Sequence, residues 1–273
     1  MIKSFSRLQY APASADAPLV IAHRGASADY PENTLAAYDA AIRMGADMVE
    51  LDVQLTSDGE VVAHHDKKVS RCTDGKGAVA ACSLAALKAL DAGSWFDRKF
   101  RGEKIPSLSE VLALCKGRAP LNIEIKTEAV TDGAAGGIEE RCLDLVARHG
   151  MTGHVAFSSF DPRALLHLRQ LDASLTLAVL YEKRLYADCL PSQIVKQVGA
   201  DVFHCSRWQL TRRWLDDLKA HGIPVNVYTV NREGDMRRLI AKGVNGLFTN
   251  RPGVLKQILE ELRCKPIQEN PKR

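Results

Sequence analysis

Eight short apolar runs, each followed by a helical pattern, constrain this chain more than any other feature. The runs are Val20–His23, Met48–Val53, Leu121–Lys126, Val155–Ser159, Leu175–Leu180, Val202–Cys205, Val225–Val230 and Gly246–Thr249. They are short and partly β-branched, as strands buried on both faces are. Their alternation with helical patterns describes parallel βα units. The chain has 273 residues, and a closed barrel of eight such units needs ~250. A doubly wound sheet would use the same units. However, no G-x-G-x-x-G follows the first strand and no G-x-x-x-x-G-K-[ST] occurs anywhere, which removes the commonest nucleotide-binding signatures. The expected fold class is therefore α/β, a TIM (β/α)8 barrel.

Helix punctuation agrees with this reading. Ser107 followed by Glu110 forms a capping-box pattern before Val111–Cys115. Asp161-Pro162 supplies an N-cap and a first-turn proline before Leu165–Leu171. Thr211 caps a helix that His221-Gly222 ends, and the Asn33-Thr34 pair reads as the cap of the first helix. Residues 67–105 interrupt the alternation with a Gly-rich turn (Asp74-Gly75-Lys76-Gly77), a helical piece at Leu84–Leu90 and Trp95-Phe96. This stretch reads as a small insertion after the second strand, and long ordered loops often carry function. Trp95 and Phe96 are expected in the core of that insertion. The barrel is expected over residues 18–262, after a loose Ala/Pro/Ser-rich lead-in to Pro18, with a polar tail over 263–273.

Composition narrows the partners. A net charge of +4 comes without a Lys/Arg tract, so nucleic acid is not expected; a mild positive field favours a small anion. The seven cysteines are scattered, odd in number and without a C-x-x-C pair, which argues against a disulfide framework or thiolate zinc and for a cytoplasmic protein. The N-terminus lacks the apolar core of a signal peptide, and no run approaches the ~20 residues of a membrane span. A small-molecule ligand, no stable membrane insertion, and a monomer or homodimer are expected.

The polar residues at the strand ends carry the chemistry, because a (β/α)8 barrel builds its active site at the C-terminal ends of its strands. The first strand ends in His23-Arg24-Gly25, the second holds Glu50 and Asp52, the third holds Glu124 and Lys126, and His64-His65-Asp66 lies just downstream of the second. Residues i and i+2 of a strand share a face, so Glu50 and Asp52 point together into the mouth. Three carboxylates in one place must take up protons or hold a cation, and oxygen ligands suit Mg2+ or Ca2+. Such an ion polarises a phosphoryl oxygen, Arg24 and Lys126 suit the remaining phosphate oxygens, and two histidines can divide proton transfer. Taken singly, each residue has a plainer reading: a hydrogen-bonded structural histidine, a solvated carboxylate pair or an ion-paired lysine. Their shared position in the strands weakens those readings. His64 alternates away from His65 and is read as packing.

His23-Arg24-Gly25, Pro31-Glu32-Asn33-Thr34, Glu50-Leu51-Asp52-Val53 and His65-Asp66, in this order and spacing, resemble the glycerophosphodiester phosphodiesterase family. So do Glu124-Ile125-Lys126, Ser158-Ser159-Phe160-Asp161-Pro162, Thr229-Val230-Asn231 and Thr249-Asn250-Arg251-Pro252. The resemblance, of the cytosolic bacterial type, runs from about Val20 to Leu262. It implies a TIM barrel that cleaves glycerophosphodiesters to sn-glycerol 3-phosphate and an alcohol. It implies Glu50, Asp52 and Glu124 as ligands of one divalent cation, Mg2+ or Ca2+. His23 and His65 then match the acid–base pair, and Arg24, Lys126, Phe160 and Tyr228 the substrate contacts. The sequence departs from the family pattern at Tyr228, where Trp is frequent, at Asn250, where Asp is frequent, and at Asn245, where the last strand usually has Asp. The competing readings are a phospholipase D- or C-like enzyme acting on lysophospholipids, which would need an exposed apolar rim, and a non-catalytic phosphodiester-binding barrel.

Overall fold

The computed structural model describes residue 8 and residues 17–131 and 135–264. Its strands are β1 (Leu19–Ala22), β2 (Met48–Leu55), β3 (Val61–Ala63), β4 (Leu121–Ile125), β5 (Val155–Ser159), β6 (Thr176–Leu180), β7 (Val202–Ser206), β8 (Val225–Tyr228) and β9 (Gly246–Thr249). Its helices are α1 (Leu35–Arg43), α2 (Leu84–Ala89), α3 (Leu108–Cys115), α4 (Ile138–Arg148), α5 (Pro162–Leu171), α6 (Lys183–Tyr186), α7 (Pro191–Val198), α8 (Arg212–Ala220), α9 (Glu233–Ala241) and α10 (Pro252–Cys264). All strands but β3 are parallel to their neighbours in the order β1-β9-β8-β7-β6-β5-β4-β2, and β1 also pairs with β2. That last pairing closes the sheet into a (β/α)8 barrel and rules out the open alternative.

Strand alternation sorts the side chains. Val49, Leu51 and Val53 of β2, Leu121, Ile123 and Ile125 of β4 and Val155 and Phe157 of β5 join one continuous buried cluster with Val111, Leu112, Leu143 and Leu165 of the helices. The alternate positions point into the barrel. At its lower end Leu19, Ile21, Met48 and Phe248 form a separate apolar plug. Above that plug the inward positions turn polar, with Glu50, Asp52, Asn122, Glu124, Ser158, His204 and Asn226 all buried. The polar half is the half that opens at the C-terminal ends of the strands.

The expected caps are present. Ser107 and Glu110 close a reciprocal capping box on α3, Asp161 and Thr211 accept from the first-turn amides of α5 and α8, and Gly222 takes φ 64° just past α8. Asn33 departs from its expected role: Thr34 alone caps α1, accepting from Ala37 N, while Asn33 turns into the site.

The insertion expected after the second strand is preceded by a strand that the apolar pattern did not mark. β2 runs on to Leu55 and folds back as β3, antiparallel, with Val53 opposite Ala63 and Leu55 opposite Val61. The chain between β3 and α3 then packs round its own buried cluster of Val62, Val69, Val79, Leu87, Ala92 and Ile105. Trp95 is not part of that core. It is 38% exposed and stands edge-on to Phe96, which meets Phe100 in turn. At the other end of the chain α10 continues to Cys264, into the expected tail; residues 265–273 and most of the lead-in lie outside the described residues. Among the described residues no helix is long and apolar enough to cross a membrane.

Candidate active site

β1 ends one residue before His23, and the chain there turns sharply: Arg24 takes φ 57° and Gly25 φ 83°. A Cβ on Gly25 would lie 2.5 Å from the backbone carbonyl carbon of Ala37, so only glycine lets this turn seat against α1. The left-handed conformation of Arg24 costs on the order of 1 kcal/mol or more for a non-glycine residue. It is held by the Arg24 amide, which donates to Glu50 Oε2 at 2.8 Å. Backbone strain here aims Arg24 across the mouth.

Glu50 and Asp52 on β2 and Glu124 on β4 offer carboxylate oxygens that all lie within 4.8 Å of one another. The strand register places Asp52 directly beside Glu124. Lys126 Nζ sits 2.7 Å from Glu124 Oε1 and 3.3 Å from Asp52 Oδ1, and Arg24 Nε lies 3.1 Å from Asp52 Oδ2. Asn33 Nδ2 donates to Asp52 Oδ2 at 3.0 Å, and Tyr38 Oη donates to Asn33 Oδ1 at 2.8 Å.

These neighbours divide the three acids. Burial pushes Asp52 up, but Arg24 and Lys126 overcome it and hold Asp52 well below the usual carboxylate range. Glu50 goes the other way, raised well above its ordinary value by burial and by Asp52. Glu124 is pushed up to about 7, again by burial and then by Asp52. A cage that must otherwise bind protons suits a cation. With all three ionised the carboxylates outnumber Arg24 and Lys126, and Arg24 is shared with Glu32 as well, so a divalent ion would supply positive charge that the side chains do not. The all-oxygen donor set fits Mg2+ or Ca2+.

The two histidines have opposite settings. His23 Nδ1 meets Asn250 Oδ1 at 2.8 Å; an amide oxygen only accepts, so Nδ1 carries the proton and Nε2 is left as an acceptor. Asn250 is itself fixed by its amide, which donates to Asn231 Oδ1 at 2.8 Å. Burial, reinforced by Arg24, lowers the His23 imidazole to about 4, so it is neutral near pH 7. His65 instead bonds a carboxylate, with Nδ1 at 2.6 Å from Asp66 Oδ1. Gln54 Nε2 donates to the carbonyls of His64 and Asp66, both at 2.8 Å, and straps this segment to the end of β2. His64 is turned away as expected, buried with Nε2 at 3.2 Å from Lys68 O.

A cavity of about 200 Å³ is lined by His23, Arg24, Glu50, His65, Glu124, Lys126, Phe160 and Tyr228, together with Asn122, Ser158, Leu180, Thr229 and Phe248. Asp52 stands behind these, ion-paired with Arg24 and Lys126. Phe160 meets Tyr228 edge-on, with centroids 6.1 Å apart, and Tyr228 meets Phe248 at 6.3 Å. One wall is thus carboxylate and cation, the other aromatic. Sequence reading missed Asn33, Asn122, Ser158 and Phe248. Strand alternation reaches the last three once the register is known, whereas Asn33 gives no periodic signal.

Comparison with known proteins agrees with this geometry. Residues 23–254 match the glycerophosphoryl diester phosphodiesterase family. A glycerophosphodiester phosphodiesterase from Caldanaerobacter subterraneus is 38% identical over 87% of this chain and 96% of its own length. One from Bacillus subtilis is 35% identical over 90% and 87%. Among solved structures, a phosphodiesterase from Oleispira antarctica, in complex with its product sn-glycerol 3-phosphate, superposes with a TM-score of 0.81 at 29% identity, covering 89% of this chain and 97% of that one.

Proposed function

The chain belongs to the glycerophosphoryl diester phosphodiesterase family, and from that premise we propose that it hydrolyses glycerophosphodiesters to sn-glycerol 3-phosphate and an alcohol. One divalent cation, Mg2+ or Ca2+, would be held by Glu50, Asp52 and Glu124. When bound, it supplies Lewis-acid polarisation of a phosphoryl oxygen and offsets the charge that grows there.

The chain's own residues do the rest. Arg24 and Lys126 hold non-bridging oxygens of the phosphodiester. Lys126 donates one N–H to Glu124 and stands 3.3 Å from Asp52 Oδ1 as an ion pair, so an ammonium with three donors still has N–H to offer the substrate. Phe160 and Tyr228 form the apolar wall against which the glycerol carbons lie. His23 Nε2 takes a proton from the nucleophile: water gives sn-glycerol 3-phosphate directly, whereas the glycerol 2-hydroxyl gives a cyclic phosphate that a water must then open. As the new P–O bond forms and the bond to the alcohol breaks, His65 Nε2 gives its proton to the departing oxygen. The observation that carries this reading is the contrast between the histidines. His23 is bonded to a neutral amide and kept unprotonated by burial. His65 is bonded instead through Nδ1 to the Asp66 carboxylate at 2.6 Å, which orients the ring and leaves Nε2 for the substrate. A base and an acid are what the reaction needs at one site.

The test is release of glycerol 3-phosphate from glycerophosphocholine and glycerophosphoethanolamine, with and without chelator. Activity is expected to vanish on chelation and to return with Mg2+ or Ca2+. Folded, cation-loaded protein that cleaves no glycerophosphodiester would overturn the proposal.

A further inference from the structure

The chain between β3 and α3 reaches the site through Arg71. This residue ends a short 3-10 turn, Val69–Arg71, seated by buried Val69 and by Thr73, whose hydroxyl donates to Val69 O at 2.8 Å. The guanidinium grips two carboxylates. It donates to Glu32 through Nη1 at 2.9 Å and Nη2 at 2.7 Å, and to Asp66 through Nε at 2.6 Å and Nη2 at 3.1 Å. Glu32 Oε1 also accepts from Arg24 Nη1 at 2.8 Å, and Asp66 Oδ1 meets His65 Nδ1 at 2.6 Å. Ion pairs therefore run along one line, Asp52, Arg24, Glu32, Arg71 and Asp66, and the line ends at the His65 ring. Arg71 is not among the residues that line the cavity.

We propose that Arg71 is a positioning residue for the reaction, tying the phosphate clamp Arg24 and the proton donor His65 into one unit. This rests on the reading of His65 as the acid. Arg24 and His65 stand on different loops, one after β1 and one after β3, and among the described residues no hydrogen bond joins them directly. Both act on the same phosphodiester, Arg24 at a non-bridging oxygen and His65 at the leaving one, so their separation has to be fixed. A planar fork with five donors fits two carboxylates at once; a lysine ammonium is a point charge and does not. The role of the inserted segment is then to carry Arg71 on its own small core.

The test compares two substrates, glycerophosphocholine and the p-nitrophenyl ester of glycerol 3-phosphate, whose phenolate leaves without needing a proton. With glycerophosphocholine, Arg71→Ala is expected to lower kcat roughly 10- to 100-fold, the usual effect of removing a group that orients a reacting residue. With the p-nitrophenyl ester the loss in kcat should be much smaller, while KM rises for both substrates because Arg24 is loosened. Arg71→Lys should restore only part of the activity. Equal kcat losses on both substrates, alongside a leaving-group-selective loss in His65→Ala, would overturn the proposal and leave Arg71 a structural residue. If His65→Ala also loses equally on both, the acid assignment fails and this inference fails with it. Should Arg71→Ala not fold, Glu32→Gln cuts the line on the Arg24 side. There the proposal requires a rise in KM on both substrates, and an unchanged KM overturns it.

Discussion

Cation binding should be coupled to proton release, and Glu124 sets the size of the effect. Its carboxyl is raised from 4.5 to about 7 by burial and by Asp52. Below pH 7 a divalent ion must displace that proton, at a cost of about 1.4 kcal/mol per pH unit. Glu124 is half protonated at pH 7, so between pH 7 and pH 5 the penalty grows by about 2.3 kcal/mol, and the apparent Kd for Mg2+ or Ca2+ should weaken roughly 50-fold. Glu50, also raised, works in the same direction. Titration calorimetry at pH 6, in two buffers of different ionisation enthalpy, should show at least about one proton released per ion, Glu124 supplying close to one and Glu50 adding to it, and less as the pH rises through 7. The cation-free protein gives an independent measure. A carboxyl whose folded pKa lies above its unfolded value stabilises fully below about 4.5, and that stability is lost as the pH rises through about 7. Buried His23 and His204, lowered from 6.5 to about 4 and about 3, act oppositely: their contribution is lost at low pH, grows as the pH rises to about 6.5 and is fully present and constant above it. The decisive window is therefore pH 6.5 to 8, where the melting temperature without cation should fall, and should fall less in Glu124→Gln. An affinity that stays flat from pH 5 to 7 would refute the reasoning, as would a cation-free protein whose stability rises across the upper window.

Other perturbations separate the remaining roles. His23→Ala and His65→Ala should each lower kcat by about 10²–10⁴ on glycerophosphocholine, as loss of a general acid or base does; a milder loss in steady-state assays would count against either role. Asn250→Asp places a carboxylate where an amide now meets His23 Nδ1 at 2.8 Å. It should raise the His23 pKa and move the acid limb of the kcat/KM profile to higher pH, and an unmoved limb would assign that limb to another group. Phe160→Ala and Tyr228→Ala remove the apolar wall and should raise KM more than they lower kcat, which initial-rate kinetics will resolve. Gly246→Ala puts a Cβ 2.5 Å from Asn226 Oδ1 and 3.0 Å from Ile21 Cδ1. Overpacking of that kind should cost about 1–3 kcal/mol in a denaturant melt.

The barrel was legible because its information is local and repeated. Each strand is a short apolar run and each helix carries its own cap, so Ser107 with Glu110, Asp161 with Pro162, and Thr211 could be read without knowing what packs on what. Strand ends proved softer. β8 stops at Tyr228, two residues short of Val230, whose amide donates to Phe248 O rather than continuing the ladder with β7. β3 was missed because three apolar residues give too short a period to register, and its pairing with β2 depends on a turn, Ser57-Asp58-Gly59, that the apolar pattern does not mark. Trp95 shows the opposite error. A large aromatic predicts burial on average, but its neighbours in the inserted segment cover only part of it.

The site divides along the same line. Glu50, Asp52, Glu124 and Lys126 lie on strands, where a period of two fixes the face, and their convergence follows once the strands are parallel and adjacent. His23 and Arg24 sit one and two residues past a strand end, still within reach of that logic. Glu32, Asn33, Arg71 and Asn250 lie on connections, and what places them is a set of hydrogen bonds spanning up to 227 residues of sequence, which no periodicity reports. The difference has a physical consequence. The carboxylates are held by backbone ladders and buried side chains, and they keep their geometry as long as the barrel stands. His65 is held by Gln54, Asp66 and Arg71 on a segment with a smaller core of its own. Cooperative units with fewer buried contacts open first, so the His65 half of the site is the part whose geometry depends on side-chain pairing, and the charges from Arg24 to Asp66 are what bind it to the half the strands hold rigid.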